Sequence, residues 1–278
     1  MRQVQQKKSV LCVGLDPHFH LLPDVAKHGR NETEAIFFFL SEILEAVSPF
    51  AVAVKPNTAF FECWGVEGWR ILEKISEKAK EKNLLVIADA KRGDIGSTAE
   101  AYAEGFLGKN RPFDAITVSP YLGQDGIIPF AEKAEENEKG IFVLVKTSNK
   151  SAGEFQDLPV GDSLLHEEVA RSVARIGTSF SGESGFSSVG AVVGATHPDD
   201  IRMLRSEMPA QIFLVPGYGA QGGTVEDIAP AFYANGQGAI VNSSRSILFA
   251  SSGSQFAESA GKAAQKAQQE LSTTVGIS

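Results

Sequence analysis

Residues 84–98 read LLVIADAKRGDIGST. The apolar run 84–88 shows no polar alternation, which is how a strand buried on both faces reads. It gives way to Asp89, Lys91 and Asp94, and a helical pattern opens at Ser97. Strand, polar turn and helix make one βα unit. Working outward, the same unit recurs at apolar runs 10–15, 51–54, 115–118, 141–145, 189–193, 212–215 and 239–241. Helix candidates lie near 33–47, 65–82, 97–108, 124–138, 162–180, 198–207, 224–235 and 254–270. In 65–82, Trp69, Leu72, Ile75 and Ala79 form an apolar stripe, and Lys and Glu fill the opposite face. Asp24 or Thr33, Asp162, Asp199 and Thr224 are candidate N-caps or first-turn acids.

Such units predict a parallel sheet with crossover helices. The 278 residues suit a closed (β/α)8 barrel, which needs ~250, with modest additions. The alternative is an open doubly wound sheet. However, the turn after the first run is Gly14-Leu15-Asp16-Pro17, with no G-x-G-x-x-G dinucleotide fingerprint. The expectation is therefore α/β: a (β/α)8 TIM barrel forming a single domain over 1–278, with a core at about 9–250. A C-terminal helix follows, then a Ser/Thr-rich tail from Leu271 that is expected to fray. The stretch 148–161 reads as a loop over the fifth strand, and 177–188 as a Gly/Ser-rich connection.

With 34 Asp+Glu against 26 Lys+Arg, the net charge of −8 argues against nucleic-acid or anionic-membrane partners, but it permits a local basic pocket. Cys12 and Cys63 have no cysteine or histidine at ligand spacing, and the five histidines are scattered, which suggests surface or loop roles. No metal site is expected. Residues 1–10 lack an apolar h-region, and no run approaches the ~18–20 residues of a membrane span. A soluble, cytoplasmic chain is the expectation.

Catalytic groups of such barrels stand at the carboxyl ends of the strands. Those positions hold Asp16, Lys55, Asp89 with Lys91, Ser119, Lys146-Thr147-Ser148, Gly194 with Thr196, the glycine loop 217–223, and 242–245. A lone buried Lys or Asp costs several kcal/mol unless paired, so this concentration calls for a functional reading. Residues two apart on a strand share a face, which predicts that Asp89 and Lys91 point inward together. Asp94 is either an N-cap or a group carried beyond the barrel mouth toward a second subunit. Asn57 either serves a turn or meets substrate. In VPGYGAQGG (215–223), Gly219 and its neighbours allow backbone N–H groups close to an anion, and Arg245 adds a planar cationic fork. Loops after strands seven and eight are the usual phosphate site of this barrel.

These residues and their order resemble the orotidine 5′-monophosphate decarboxylase family, in its longer bacterial branch. The resemblance rests on GLDP (14–17), VKPN (54–57), DAKRGDIGST (89–98), VSPYLG (118–123), KTSN (146–149), PGYGAQGG and SSRSI, and covers most of the chain. It implies a homodimeric barrel that works without metal or cofactor. Lys55, Asp89, Lys91 and Asp94 match the family's alternating array, with Asp94 and Thr98 donated across the dimer. Lys91 matches the acid that protonates C6, and Asp16 the residue that binds ribose hydroxyls. Ser148 matches the residue that hydrogen-bonds the pyrimidine, and Gln221 and Arg245 match the phosphate ligands. Two departures stand out: the segment 148–188 is long, and Ser244 replaces a common glycine. Competing readings are a Schiff-base aldolase or metal-dependent sugar-phosphate synthase on the same barrel, and a silent nucleotide-binding protein.

Overall fold

The computed structural model describes residues 2–195, 198–218 and 224–277. Its main strands are β1 (Leu11–Leu15), β2 (Ala53–Pro56), β3 (Leu85–Arg92), β4 (Ala115–Val118), β5 (Gly140–Lys146), β6 (Val189–Val193), β7 (Phe213–Val215) and β8 (Ala239–Ser243). They close a barrel in chain order, so the barrel expectation holds and the open sheet does not. The connecting helices are α1 (Glu32–Val47), α2 (Gly65–Glu81), α3 (Gly96–Leu107), α4 (Ile128–Glu136), α5 (Leu165–Thr178), α6 (Pro198–Glu207) and α7 (Val225–Ile228), and α8 (Phe256–Val275) ends the series. By internal contacts the chain falls into two compact units, Met1–Asp89 with Asn242–Ser278, and Ala90–Val241.

In the first unit β1 pairs in parallel with β2, placing Gly14 opposite Lys55, and β2 pairs with β3. Helix α1 buries Ile36, Phe39, Leu40, Ile43 and Leu44, and Phe39 stacks on Phe249 and Phe256. Its cap is Asn31, not Asp24 or Thr33. Asn31 Oδ1 accepts the Glu34 N–H at 2.9 Å, and Glu34 Oε2 accepts the Asn31 N–H at 3.0 Å. Thr33 only donates its hydroxyl to that same Asn31 oxygen, and Asp24 is a first-turn acid of a four-residue helix. Such a cap is worth about 1 kcal/mol. Helix α8 continues through Val275, past the point where the Ser/Thr content predicts fraying. Leu271 and Val275 are buried, Ser272 Oγ donates to the Lys8 carbonyl at 2.7 Å, and Gly276 at φ 72° ends the helix. Burial of an i, i+4 stripe outweighs the low helix propensity of Ser and Thr.

In the second unit β4 to β8 form a continuous parallel ladder. Phe142 lies opposite Gly190, where a Cβ would come within 2.8 Å of the ring. The β5–α5 connection is more structured than a loop. It holds a short helix Gly153–Gln156 and an antiparallel pair, Pro159–Val160 with Ser163–Leu164. Asp162 therefore sits outside α5, whose N-cap is Leu164. The helix expected over 224–235 splits into α7 and a 3-10 turn Ala229–Ala231 containing Pro230, a residue that cannot supply an interior N–H. Thr224 caps α7 as expected, and Asp199 is a first-turn acid of α6. Buried Arg205 donates to the carbonyls of Met208, Gln211 and Gly238 and lies 3.5 Å from the Phe213 ring centroid. Among the described residues, no helix is long and apolar enough to cross a membrane.

Candidate active site

The first unit pairs two charges in its interior. Lys55 Nζ lies 2.6 Å from Asp89 Oδ2, with the residues only 5 % and 8 % exposed. Burial alone would push the Lys55 ammonium down, but the Asp89 and Asp16 carboxylates outweigh it and hold it above the ordinary lysine value. The β2–β3 pairing continues past the strand, with Asn57 bridged to Asp89 and the Thr58 N–H donating to the Asp89 carbonyl at 3.3 Å. This ladder fixes the spacing of the two charged residues. Asn57 takes the turn role: its Oδ1 accepts the Ala59 N–H at 3.1 Å. Cys12 is fully buried, its thiol pushed up to about 12 by that burial, so it is a packing group and not a nucleophile.

Gly14 serves a close approach. A Cβ there would fall 1.8 Å from Ser244 Oγ and 3.3 Å from Asn242 Oδ1. Asn242 Nδ2 donates to Ser244 Oγ at 3.2 Å, while Asn242 Oδ1 and Asp16 Oδ1 are buried without hydrogen-bond partners among the described residues. The sequence places Asn242 only among the strand-end positions 242–245, without a role, because the apolar run ends at Val241, whereas β8 and its burial extend through Ser243. Arg245 opens the short helix Arg245–Leu248, is exposed, and makes no ion pair among the described residues.

In the second unit the two-residue strand period breaks at Lys91. Its φ is +47°, in the left-handed region, and its side chain is exposed. The inference that Asp89 and Lys91 share a face from strand alternation therefore does not hold, since alternation requires extended backbone through both. The Lys91 N–H donates to Thr117 Oγ1 at 2.9 Å, which anchors the turn. A left-handed lysine costs roughly 1–2 kcal/mol, and strain of this kind concentrates at functional sites. Asp94 is not the cap of α3. Its Oδ1 accepts the N–H of Ile95, which holds the N-cap position itself. Thr98 is exposed in the first turn of α3. Ile95, Tyr121 and Leu122 are also exposed, Tyr121 at 87 %.

Ser148 follows β5 and backs onto Gly194, where a Cβ would lie 3.0 Å from the Ser148 nitrogen. Thr147 beside it is gripped by Gln156, whose Oε1 accepts the Thr147 N–H at 2.9 Å and whose Nε2 donates to Thr147 Oγ1 at 2.7 Å. Lys146 is buried and committed to Asp157, with Asp200 at 3.7 Å. His166 is only 1 % exposed, against the expectation of a surface or loop histidine, and its Nδ1 is 2.8 Å from the Gln156 carbonyl. The signal was there: His166 lies on the stripe of Ala170, Val173 and Gly177 that α5 buries. Next to this segment is a cavity of about 600 Å³ lined by Tyr121, Val145, Thr147, Phe155, Gln156 and His166 among others. Gly219, Gln221 and Thr196 lie outside the described residues. Gly217, at the start of the glycine loop, has φ +100°, a conformation that requires glycine.

A closed barrel with a buried Lys–Asp pair at its strand ends, and a second lysine held in strained backbone two residues on, defines a (β/α)8-barrel enzyme. Residues 9–260 match the model of the orotidine 5′-phosphate decarboxylase / HUMPS family. The chain belongs to that family. It is 46 % identical over 264 residues to the orotidine 5′-phosphate decarboxylase of Rhodopirellula baltica, covering 91 % of this chain and 87 % of that one. Against the enzyme of the same name from Deinococcus radiodurans it is 44 % identical over 245 residues, covering 88 % and 85 %. The structure of Leishmania donovani OMP decarboxylase superposes with a TM-score of 0.81 at 34 % identity, covering 99 % of this chain and 98 % of that one.

Proposed function

We propose that this chain decarboxylates orotidine 5′-monophosphate to UMP and carbon dioxide in de novo pyrimidine biosynthesis, without a cofactor, as one catalytic domain in the cytoplasm. The observation that carries the reading is the buried Lys55–Asp89 pair leading directly into the strained Lys91. Loss of a carboxylate from a ring carbon calls for a fixed carboxylate against the departing group and a cation that meets the developing carbanion and then protonates it.

In this reading Lys91 places its ammonium beside C6, stabilises the developing carbanion and donates its proton there as carbon dioxide leaves. Asp89 lies against the substrate carboxylate, and Lys55 fixes Asp89 and contacts ribose. Asp16, with a buried unpartnered oxygen, accepts a ribose hydroxyl. Ser148 hydrogen-bonds the pyrimidine. The loop carrying Gly219 and Gln221 grips the phosphate with Arg245, whose guanidinium no carboxylate among the described residues neutralises. Asn57, committed to its turn, acts by holding the β2–β3 spacing. One charge pair at 4 Å supplies ~4 kcal/mol at an effective dielectric of 20. Accelerations of the size this chemistry demands need roughly 20 kcal/mol, so phosphate and ribose binding must contribute through positioning.

The active form is a homodimer in which Asp94 and Thr98 serve the neighbouring subunit. The exposure of Thr98 and of the apolar Ile95, Tyr121 and Leu122, all in the second unit, supports this. The test is loss of absorbance of orotidine 5′-monophosphate with EDTA present. Turnover to UMP supports the reading; turnover only with added divalent metal and a sugar phosphate would replace it with the synthase.

A further inference from the structure

We propose that Gln156 is a positioning residue: its two-point grip on Thr147 sets Ser148 for the pyrimidine. The inference rests on the role given to Ser148 above. The Gln156 amide presents an acceptor and a donor side by side. Thr147 answers with its backbone N–H at 2.9 Å and its hydroxyl oxygen at 2.7 Å. That hydroxyl, accepting from Gln156, donates onward to Asn149 Oδ1 at 2.6 Å. The residues on both sides of Ser148 are thereby locked in rotation as well as position. Behind Ser148, Gly194 leaves no room for retreat, and the Gly194 N–H donates to the Lys146 carbonyl at 2.8 Å. Within 147–149, only Ser148 makes no side-chain hydrogen bond among the described residues, which leaves its hydroxyl for a ligand.

The grip is itself anchored. His166 Nδ1 donates to the Gln156 carbonyl, a tautomer that the acceptor dictates. The next residue, Asp157, pairs with Lys146 at the end of β5 and lies 3.2 Å from His166. Contacts to a buried lysine and a buried histidine hold a geometry well because breaking one strands a partner inside the protein. Gln156 therefore reaches from a strand-anchored base to the backbone next to the recognition residue, without touching substrate itself. Kinetics separate this positioning role from simple stabilisation of the connection.

The experiment is a double-mutant cycle in kcat/KM for orotidine 5′-monophosphate, with Gln156→Ala, Gln156→Glu, Ser148→Ala and Gln156→Ala/Ser148→Ala, alongside inhibition by inorganic phosphate. Small misplacements of a positioned group cost up to ~100-fold, so Gln156→Ala should lose roughly 10–100-fold. It should lose nothing further in the Ser148→Ala background, and its inhibition constant for phosphate should stay at the wild-type value. Gln156→Glu keeps the acceptor for the Thr147 N–H and should retain more activity than alanine. If Gln156→Ala does not fold, Thr147→Val removes only the hydroxyl arm and enters the same cycle with a smaller loss. Wild-type rates in Gln156→Ala, or losses that add to those of Ser148→Ala, overturn the proposal while the decarboxylase reading stands. A wild-type chain inactive on orotidine 5′-monophosphate overturns that reading, and this inference with it.

Discussion

Replacing Lys55 with methionine keeps the apolar stem and removes the charge. Asp89 then stays buried with its ion pair to Lys55 gone. At 2.6 Å and an effective dielectric of 20, the Coulomb attraction lost is about 6 kcal/mol. Relief from burying the ammonium offsets part of this, and removing one member of a buried pair typically costs about 3–5 kcal/mol. With a urea dependence of about 3 kcal/mol per molar, the midpoint should fall by about 1–1.7 M at pH 8. The sign of the pH dependence follows from the lost Lys55–Asp89 attraction. Removing the Lys55 ammonium takes away a charge that favours ionised Asp89, so in the folded variant the Asp89 pKa lies above its wild-type value. The gap to wild type therefore opens as pH rises from the wild-type Asp89 value to the variant's, by at most ~1.4 kcal/mol per pH unit. It should be smaller at pH 5 than at pH 8. Urea unfolding at both pH values, with the double variant Lys55→Met/Asp89→Leu as control, measures this. The control should recover most of the loss. A midpoint shift equal at the two pH values, or a cost under ~1 kcal/mol, would show that the pair does not hold a buried charge.

Lys91→Ala should abolish nearly all turnover while leaving the urea midpoint close to the wild-type value, since the side chain is exposed and alanine carries the same left-handed strain; a wild-type rate would remove it as proton donor. Mixing inactive Asp94→Asn and Lys91→Ala subunits should restore part of the activity through heterodimers with one intact site, and no recovery would count against Asp94 acting across the interface. Gly14→Ala drives a methyl onto Ser244 Oγ and should destabilise by ~1–3 kcal/mol, whereas Gly14→Ala/Ser244→Gly should recover most of it in thermal melts. In a native thiol titration exposed Cys63 should react and buried Cys12 should not. Because burial pushes Cys12 from 9.0 up to about 12, its contribution to stability is full below the lower value and lost as pH climbs toward the upper. Cys12→Ala should flatten that alkaline decline.

The barrel was legible because parallel strands buried on both faces leave unbroken apolar runs, and each run from 10–15 to 239–241 became a strand. Lys55 and Asp89 were legible for the opposite reason: charge at the end of such a run has nowhere inexpensive to go. What stayed hidden depends on partners distant in sequence. The α1 cap at Asn31 competes with two equally plausible neighbours, and only the Glu34 side chain decides it. Helix α8 reaches Val275 because tertiary burial of Leu271 overrides local composition. Lys91 in the left-handed region runs against the steric preference of any residue with a Cβ, and strand alternation gives no sign of it. The Gln156–Thr147 grip and the Lys146–Asp157–His166 cluster join residues nine to twenty apart across an irregular connection, where no periodicity speaks.

The unit holding Lys55 and Asp89 is assembled from the two ends of the chain, with Ser272 tied to Lys8. During synthesis, residue 242 follows residue 89 by 242 − 89 = 153 residues. At ~5–20 residues per second that is a delay of about 8–30 s. At the end of that interval Ala90–Val241 is a contiguous stretch free to fold, while the unit with the buried ion pair still lacks α8 and the Asn242–Ser244 cover over Gly14. A chain released after Val241 would therefore lack the cover over Gly14 and expose the Phe39 face of α1. Such an exposed apolar face is what chaperones and proteases act on, and packing of Phe256 in α8 against Phe39 covers it.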